Sequence, residues 1–168
     1  MRKLMMLMLA ATILAVQAPD AVPAASFEPA DLIVVHKSKR SLLLLREGAI
    51  VGEYRVALGL DPNGPKQREG DFRTPEGRYR LIRRNPQSDF FLSIQISYPS
   101  ERDIARARRQ GWQAGGQIMI HGMPNRLKHS PEYYEKRDWT DGCIAVANAD
   151  MVEIWLLTDY DTPIEIYP

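Results

Sequence analysis

Only one cysteine, Cys143, occurs in the 168 residues, so no intramolecular disulfide is available to brace the fold. Charge of one sign is equally scarce: a formal net charge of +1 gives no electrostatic footing for a polyanion, which sets nucleic acid aside as a partner. The apolar run from Leu4 to Val16 is 13 residues long, where a membrane-spanning helix needs about 20, so a permanent membrane span is not expected. Low-complexity tracts are missing as well. With 45% hydrophobic residues the chain can bury one core, and its length leaves no room for a second folded domain.

What stands at the start is informative. Met1, Arg2 and Lys3 precede the run Leu4–Val16, and a looser Ala/Pro stretch follows from Gln17 to Ala25. A charged head, a short apolar stretch and small residues make the pattern of a secretory signal peptide over residues 1–25, cut near Val22, Pro23 and Ala24, with 26–168 as the mature domain. No cysteine directly follows the run to carry a lipid anchor. Loss of Arg2, Lys3 and Asp20 brings the net charge to about zero. The expected destination is an oxidising compartment, where a free thiol is a liability, so a lone exported cysteine suggests a chemical task.

From Asp31 onward, short apolar or alternating runs are separated by turn residues, which predicts a mainly β domain. Leu32–His36 and Leu42–Arg46 flank the turn residues Lys37 to Arg40 as a hairpin, and Ala49–Leu58 continues the meander as a third strand. Gly59 to Gly77 holds four Gly and three Pro and reads as a long ordered loop, a kind of segment that is often functional. Arg78–Arg83 and Phe90–Tyr98 are further strands. Ser100 with Asp103 forms a capping box for a helix ending near Gly111. Gln117–His121 and Gly142–Val146 are strands separated by a polar loop. Asn148 is placed to cap a second helix carrying Met151, Ile154, Trp155 and Leu156, before a last strand at Ile164–Tyr167.

A cysteine nucleophile needs a base within reach and backbone donors aimed at the oxyanion of its tetrahedral intermediate. Cys143 follows Thr140, Asp141 and Gly142, and Gly142 permits a turn tight enough to offer the amides of Gly142 and Cys143 to an oxyanion. His121 ends an apolar strand, and the carbonyl of Gly122 is placed to hold one imidazole tautomer. Taken singly, an unpaired cysteine is often an inert core residue and an isolated histidine a structural one, so the residues alone leave both roles open. His36 and His129 have no motif around them and read as structural. The types His121, His129, Asp141 and Cys143 could ligate zinc, but their spacing matches no zinc pattern, so no metal and no cofactor are expected. Arg102, Arg106, Arg108 and Arg109 read as a solvated helix face, with carboxylate binding as the alternative. Trp112, Tyr133, Tyr134 and Trp139 are candidates for a groove lining.

Gly59, Pro62 and Gly64, the run Gly70, Asp71, Thr74, Pro75, Glu76, Gly77 and Tyr79, the pair His121–Gly122, and Thr140-Asp141-Gly142-Cys143 together resemble the YkuD-type L,D-transpeptidase catalytic domain over about residues 31–168. The resemblance implies a β-sandwich with two or three short helices, acting on peptidoglycan stem peptides in the periplasm. It implies Cys143 as the nucleophile, His121 as its base, the Gly122 carbonyl as the orienter of the ring, and Thr140, Asp141 and Gly142 around the oxyanion and substrate. Two positions depart from the family pattern: Asp141 stands where a second His is usual, and Ala145 where an Arg is common. The implied reaction is formation of a 3-3 or 1-3 cross-link through a thioester. An L,D-carboxypeptidase or endopeptidase would use the same residues with water as acceptor, and a non-catalytic wall-binding module is the alternative from another class.

Overall fold

The computed structural model describes residues 28–168, so the signal-peptide reading of residues 1–25 lies outside it. Eight strands and three short helices follow in the order β1 (Leu32–His36), β2 (Ser41–Arg46), β3 (Ala49–Arg55), β4 (Gly77–Ser88), β5 (Phe91–Ile96), α1 (Glu101–Arg109), β6 (Met119–His121), α2 (Pro131–Lys136), β7 (Ile144–Ala145), α3 (Asn148–Leu156) and β8 (Pro163–Tyr167). The strands are hydrogen-bonded side by side in the order β3-β2-β1-β8-β4-β5-β6-β7.

Strand β4 is the bend in this ribbon. Its first residues, Gly77–Arg80, pair with β8, whereas Leu81–Ser88 pair with β5 through two register shifts. The ribbon therefore splits into two layers that share one long strand. Alternation sends one set of side chains between the layers: Ile33, Val35, Leu42 and Leu44 from one side, Ile94, Ile96, Ile120 and Ile144 from the other, and Met151 and Ile154 of α3 as a cover. This is the β-sandwich expected from the sequence, with three helices.

The expected third strand is shorter than Ala49–Leu58, for a reason that matters to the site. After Arg55 the chain leaves β2 and crosses to the other edge of the ribbon, where Ala57 and Ala145 exchange both backbone hydrogen bonds at 2.8 Å. The otherwise open edge of β7 is closed in this way. Helix α2 sits in the stretch read as a polar loop; its signals, Ser130 and Pro131 at the first turn, are weak without an apolar face. The capping box forms as expected, with Ser100 Oγ accepting from the Asp103 amide and the Asp103 carboxylate from the Ser100 amide. Asn148 does not cap α3: Ala147 is the capping position, and the Asn148 side chain turns to the backbone of Met123 instead.

The loop 59–76 is ordered around two buried lysines. Lys37 is 2% exposed and donates to the carbonyls of Gly64 (2.6 Å) and Thr74 (3.0 Å) and to Glu76 (2.8 Å). Lys66, 3% exposed, pairs with Asp71 at 2.7 Å. Burial pushes the Asp71 carboxyl up, but Lys66 and the amides of Gln67, Arg68 and Arg73 outweigh it and hold it below its ordinary value. Replacing Lys37 by Met leaves the carbonyls of Gly64 and Thr74 and the Glu76 carboxylate without their donor, and is expected to lower unfolding stability by about 3–5 kcal/mol, measured by urea denaturation.

Candidate active site

Strands β6 and β7 run parallel with Ile120 opposite Ile144 and His121 opposite Ala145. Because Ile120 and Ile144 are fully buried in the core, the residues next to them, His121 and Cys143, emerge on the opposite face. Both line one cavity of about 640 Å³, together with Phe90, Ser93, Met119, Tyr134, Trp139 and Asp141 among others. The sheet thus brings two residues that are 22 apart in sequence to the wall of one cavity.

His121 is 4% exposed, and its Nδ1 lies 2.7 Å from the Gly122 carbonyl. A carbonyl only accepts, so Nδ1 carries the hydrogen and Nε2 keeps a free lone pair. Phe90 packs on the ring at 4.6 Å between centroids and Trp139 meets it edge-on at 5.6 Å. Burial in this aromatic surround pushes the imidazole down to about 4, against the smaller upward pull of the Gly122 hydrogen bond. At neutral pH the ring is an uncharged acceptor. Gly122 has no room for a side chain: a Cβ there would stand 2.5 Å from Asn148 Oδ1 and 3.2 Å from the Phe90 carbonyl.

Cys143 is half-buried, and its Sγ lies 3.7 Å from the Gln117 carbonyl. Burial pushes the thiol up; the Met119 amide pulls it down, Asp141 raises it and Lys66 lowers it, and the balance leaves it above its ordinary value. The resting pair is therefore neutral thiol and neutral imidazole, and the proton has to move as the sulfur attacks.

The turn before Cys143 is fixed on both sides. Thr140 Oγ1 donates to the Cys143 carbonyl at 2.8 Å and accepts from the Gly142 amide at 3.1 Å. The Gly142 amide is thereby used internally, which corrects the expectation of two free donors: of the pair, the Cys143 amide is the one that donates to no acceptor among the described residues. Gly142 adopts φ +127, and a Cβ on it would meet the Arg73 carbonyl at 2.6 Å, so glycine is required by both conformation and space. Asp141 is exposed at the cavity mouth.

Tyr133, Tyr134 and Trp139 line the cavity, whereas Trp112 lies elsewhere, under Arg68. His129 also lines it, with its ring 4.2 Å from that of Tyr133, and His36 stacks on Tyr167 away from the site. None of Arg102, Arg106, Arg108 and Arg109 lines it; Arg106 bonds instead to Asp103 and to the Lys66 carbonyl. Among the described residues, no three His, Cys, Asp or Glu side chains gather as a metal would require. Phe90, Ser93, Met119, Arg126 and Lys128 are wall residues that no motif announced; Ser93 reaches the wall through its pairing opposite His121.

A family model described as the L,D-transpeptidase catalytic domain, YkuD, matches residues 30–166. The chain is 34% identical over 96 residues to YafK of Escherichia coli (strain K12), a match covering 54% of this chain and 37% of that protein. Among solved structures it is similar to the helical cell shape determining protein Pgp2 of Campylobacter jejuni, with TM-score 0.60 and 26% identity over 80% of this chain and 46% of that one. It is also similar to Bd1075 of Bdellovibrio bacteriovorus, with TM-score 0.55 and 26% identity over 83% and 48% of the two chains. The chain thus spans about half or less of the length of these relatives.

The buried neutral histidine makes stability depend on pH. An unfolded His121 takes up a proton near its ordinary 6.5, while the folded one resists until about 4. The unfolded state therefore binds more protons between these values, and stability falls by about 3 kcal/mol as pH drops through that window. In His121→Gln that part of the slope is expected to vanish from denaturation curves measured between pH 7 and 4.

Proposed function

Because the chain belongs to the L,D-transpeptidase catalytic domain family, we propose that it transfers acyl groups between peptidoglycan stem peptides in the periplasm, through a thioester on Cys143. The observation that carries this reading is the placement of His121, at the end of β6, and Cys143, just before the parallel β7, on the wall of one cavity, with the imidazole tautomer fixed and its lone pair free.

In the proposed reaction Cys143 Sγ attacks the carbonyl at an L-centre to D-centre junction of the donor stem while its proton passes to His121 Nε2. The oxyanion faces the Cys143 amide. Collapse expels the leaving amine, which takes the proton from His121, and leaves a thioester. An acceptor amine then attacks, gives its proton to His121, and departs with the acyl group as Cys143 recovers its thiol proton. With a diaminopimelate amine as acceptor the product is a 3-3 or a 1-3 cross-link; with water it is a shortened stem.

The apolar walls of Phe90, Met119, Tyr134 and Trp139 favour a peptide over bulk water beside the sulfur. The exposed Asp141 carboxylate opposes a preformed thiolate, which suits a thiol that ionises only as it attacks. The test is mass spectrometry of muropeptides after incubating defined tetrapeptide and pentapeptide stems with the protein. Cross-linked dimers are expected, with fragmentation giving the linkage. They should be absent with Cys143→Ala and slowed about 10²–10⁴-fold with His121→Ala. Shortened monomers alone would make the protein an L,D-carboxypeptidase or endopeptidase, and an unchanged set of stems would make it a wall-binding module.

A further inference from the structure

We infer that Asn148, the first residue of α3, is a positioning residue for His121, acting through the peptide group that joins Gly122 to Met123. This rests on the reading of His121 as the base that serves Cys143.

The geometry forms one chain of hydrogen bonds. Asn148 Oδ1 accepts from the Met123 amide at 2.8 Å, and the Gly122 carbonyl of the same peptide group bonds His121 Nδ1 at 2.7 Å. The N–H and C=O of one peptide unit are conjugated, so an acceptor on the nitrogen side raises the electron density at the oxygen and strengthens the bond it receives. The carboxamide of Asn148 therefore bears on the imidazole through three linked groups. A catalytic histidine held by a side-chain carbonyl is a familiar device; here a backbone unit stands between the two.

Three further observations separate this from a surface contact. First, α3 has no side-chain cap, its capping position being Ala147, and the Asn148 carboxamide just inside the helix is spent on Met123. Second, Asn148 Oδ1 fills the space a Gly122 side chain would occupy, so the glycine and the asparagine fit one another. Third, the preceding amide, that of Gly122, is already shared between the carbonyls of Phe90 and Leu92 at 3.1 Å each. Asn148 completes the hold on the unit, and α3 is a firm base for it, since Met151 and Ile154 are fully buried in the core.

The ionisable groups that share the cavity with His121 are Cys143, Asp141, Arg126, Lys128, His129, Tyr133 and Tyr134; β5 contributes Ser93 and the hairpin before it Phe90, neither charged, and α3 contributes Asp150 beyond Met123. None of them is altered by substitution at Asn148. The test is nuclear magnetic resonance of the His121 ring, its Nδ1–H signal and its titration midpoint, in the unaltered protein, Asn148→Ala and Asn148→Asp. Alkylation of Cys143 by iodoacetamide at pH 7 is followed in parallel. In Asn148→Ala the ring proton should exchange faster, the midpoint should fall, and alkylation should slow about fivefold, the effect of one ordinary hydrogen bond. Asn148→Asp keeps the acceptor and adds negative charge, so its midpoint should rise above that of the unaltered protein and its alkylation rate should recover. This variant stays decisive if Asn148→Ala loosens α3. An unchanged ring in Asn148→Ala, or an Asn148→Asp protein as impaired as Asn148→Ala with its fold intact, overturns the inference. The ring is read without substrate, so this result stands apart from the base reading, which fails separately if His121→Ala leaves alkylation unchanged.

Discussion

A buried ammonium holds the site's scaffold in place. Lys37, at the turn between the first two strands, gathers the carbonyls of Gly64 and Thr74 and the Glu76 carboxylate around itself. A charge so fully buried is tolerated only with all its donors satisfied, and that requirement fixes the two ends of the long loop relative to each other. Thr74, so placed, receives the Gly59 amide on its hydroxyl at 3.1 Å. The backbones of Gly59, Phe72, Arg73 and Gly142 then pack without side chains between them. The turn that presents Cys143 is thus moulded by a loop far from it in sequence.

A second set of bonds holds the same turn from the opposite side. Arg40 grips the Asp138 carboxylate with Nε and Nη2, and Asp138 in turn accepts the Leu58 amide at 2.9 Å. The Leu58 carbonyl receives the amides of Trp139 and Thr140, and the Leu60 amide goes to the Thr140 carbonyl. The segment 58–60 therefore acts as a rail for residues 138–140, and Trp139 is delivered over the imidazole as a consequence. Rigid placement of this kind suits a pair whose members are both neutral at rest, since the reacting geometry must then come from the framework and not from mutual attraction of charges.

Burial sets the chemistry of the pair in the same direction for both partners: it disfavours imidazolium and it disfavours thiolate. The opposing contributions are smaller than burial, from the Gly122 carbonyl on the ring and from the Met119 amide and Lys66 on the sulfur. A resting thiol is also less prone to oxidation than a thiolate, which fits a lone cysteine expected in an oxidising compartment.

Strand alternation, turn residues and the capping box are local properties, and for that reason the mainly β character, the first hairpin and helix α1 could be read directly from the chain. His121 and Cys143 could be picked out as candidates by the short motifs around them, although the residues taken singly left both roles open. Other features depended on residues distant in sequence. Strand β3 ends early because Ala57 finds Ala145, and the Asn148 side chain is drawn to the amide of Met123, 25 residues back. Phe90, Ser93 and Met119 carry no sign of their role, since a wall is made by juxtaposition. The sequence by itself determined which residue types could perform the chemistry and the periodicity of the strands bearing them. Only the tertiary structure decided which of their polar groups remain free to act, because each backbone donor or acceptor is committed by whichever partner the fold brings within hydrogen-bond reach.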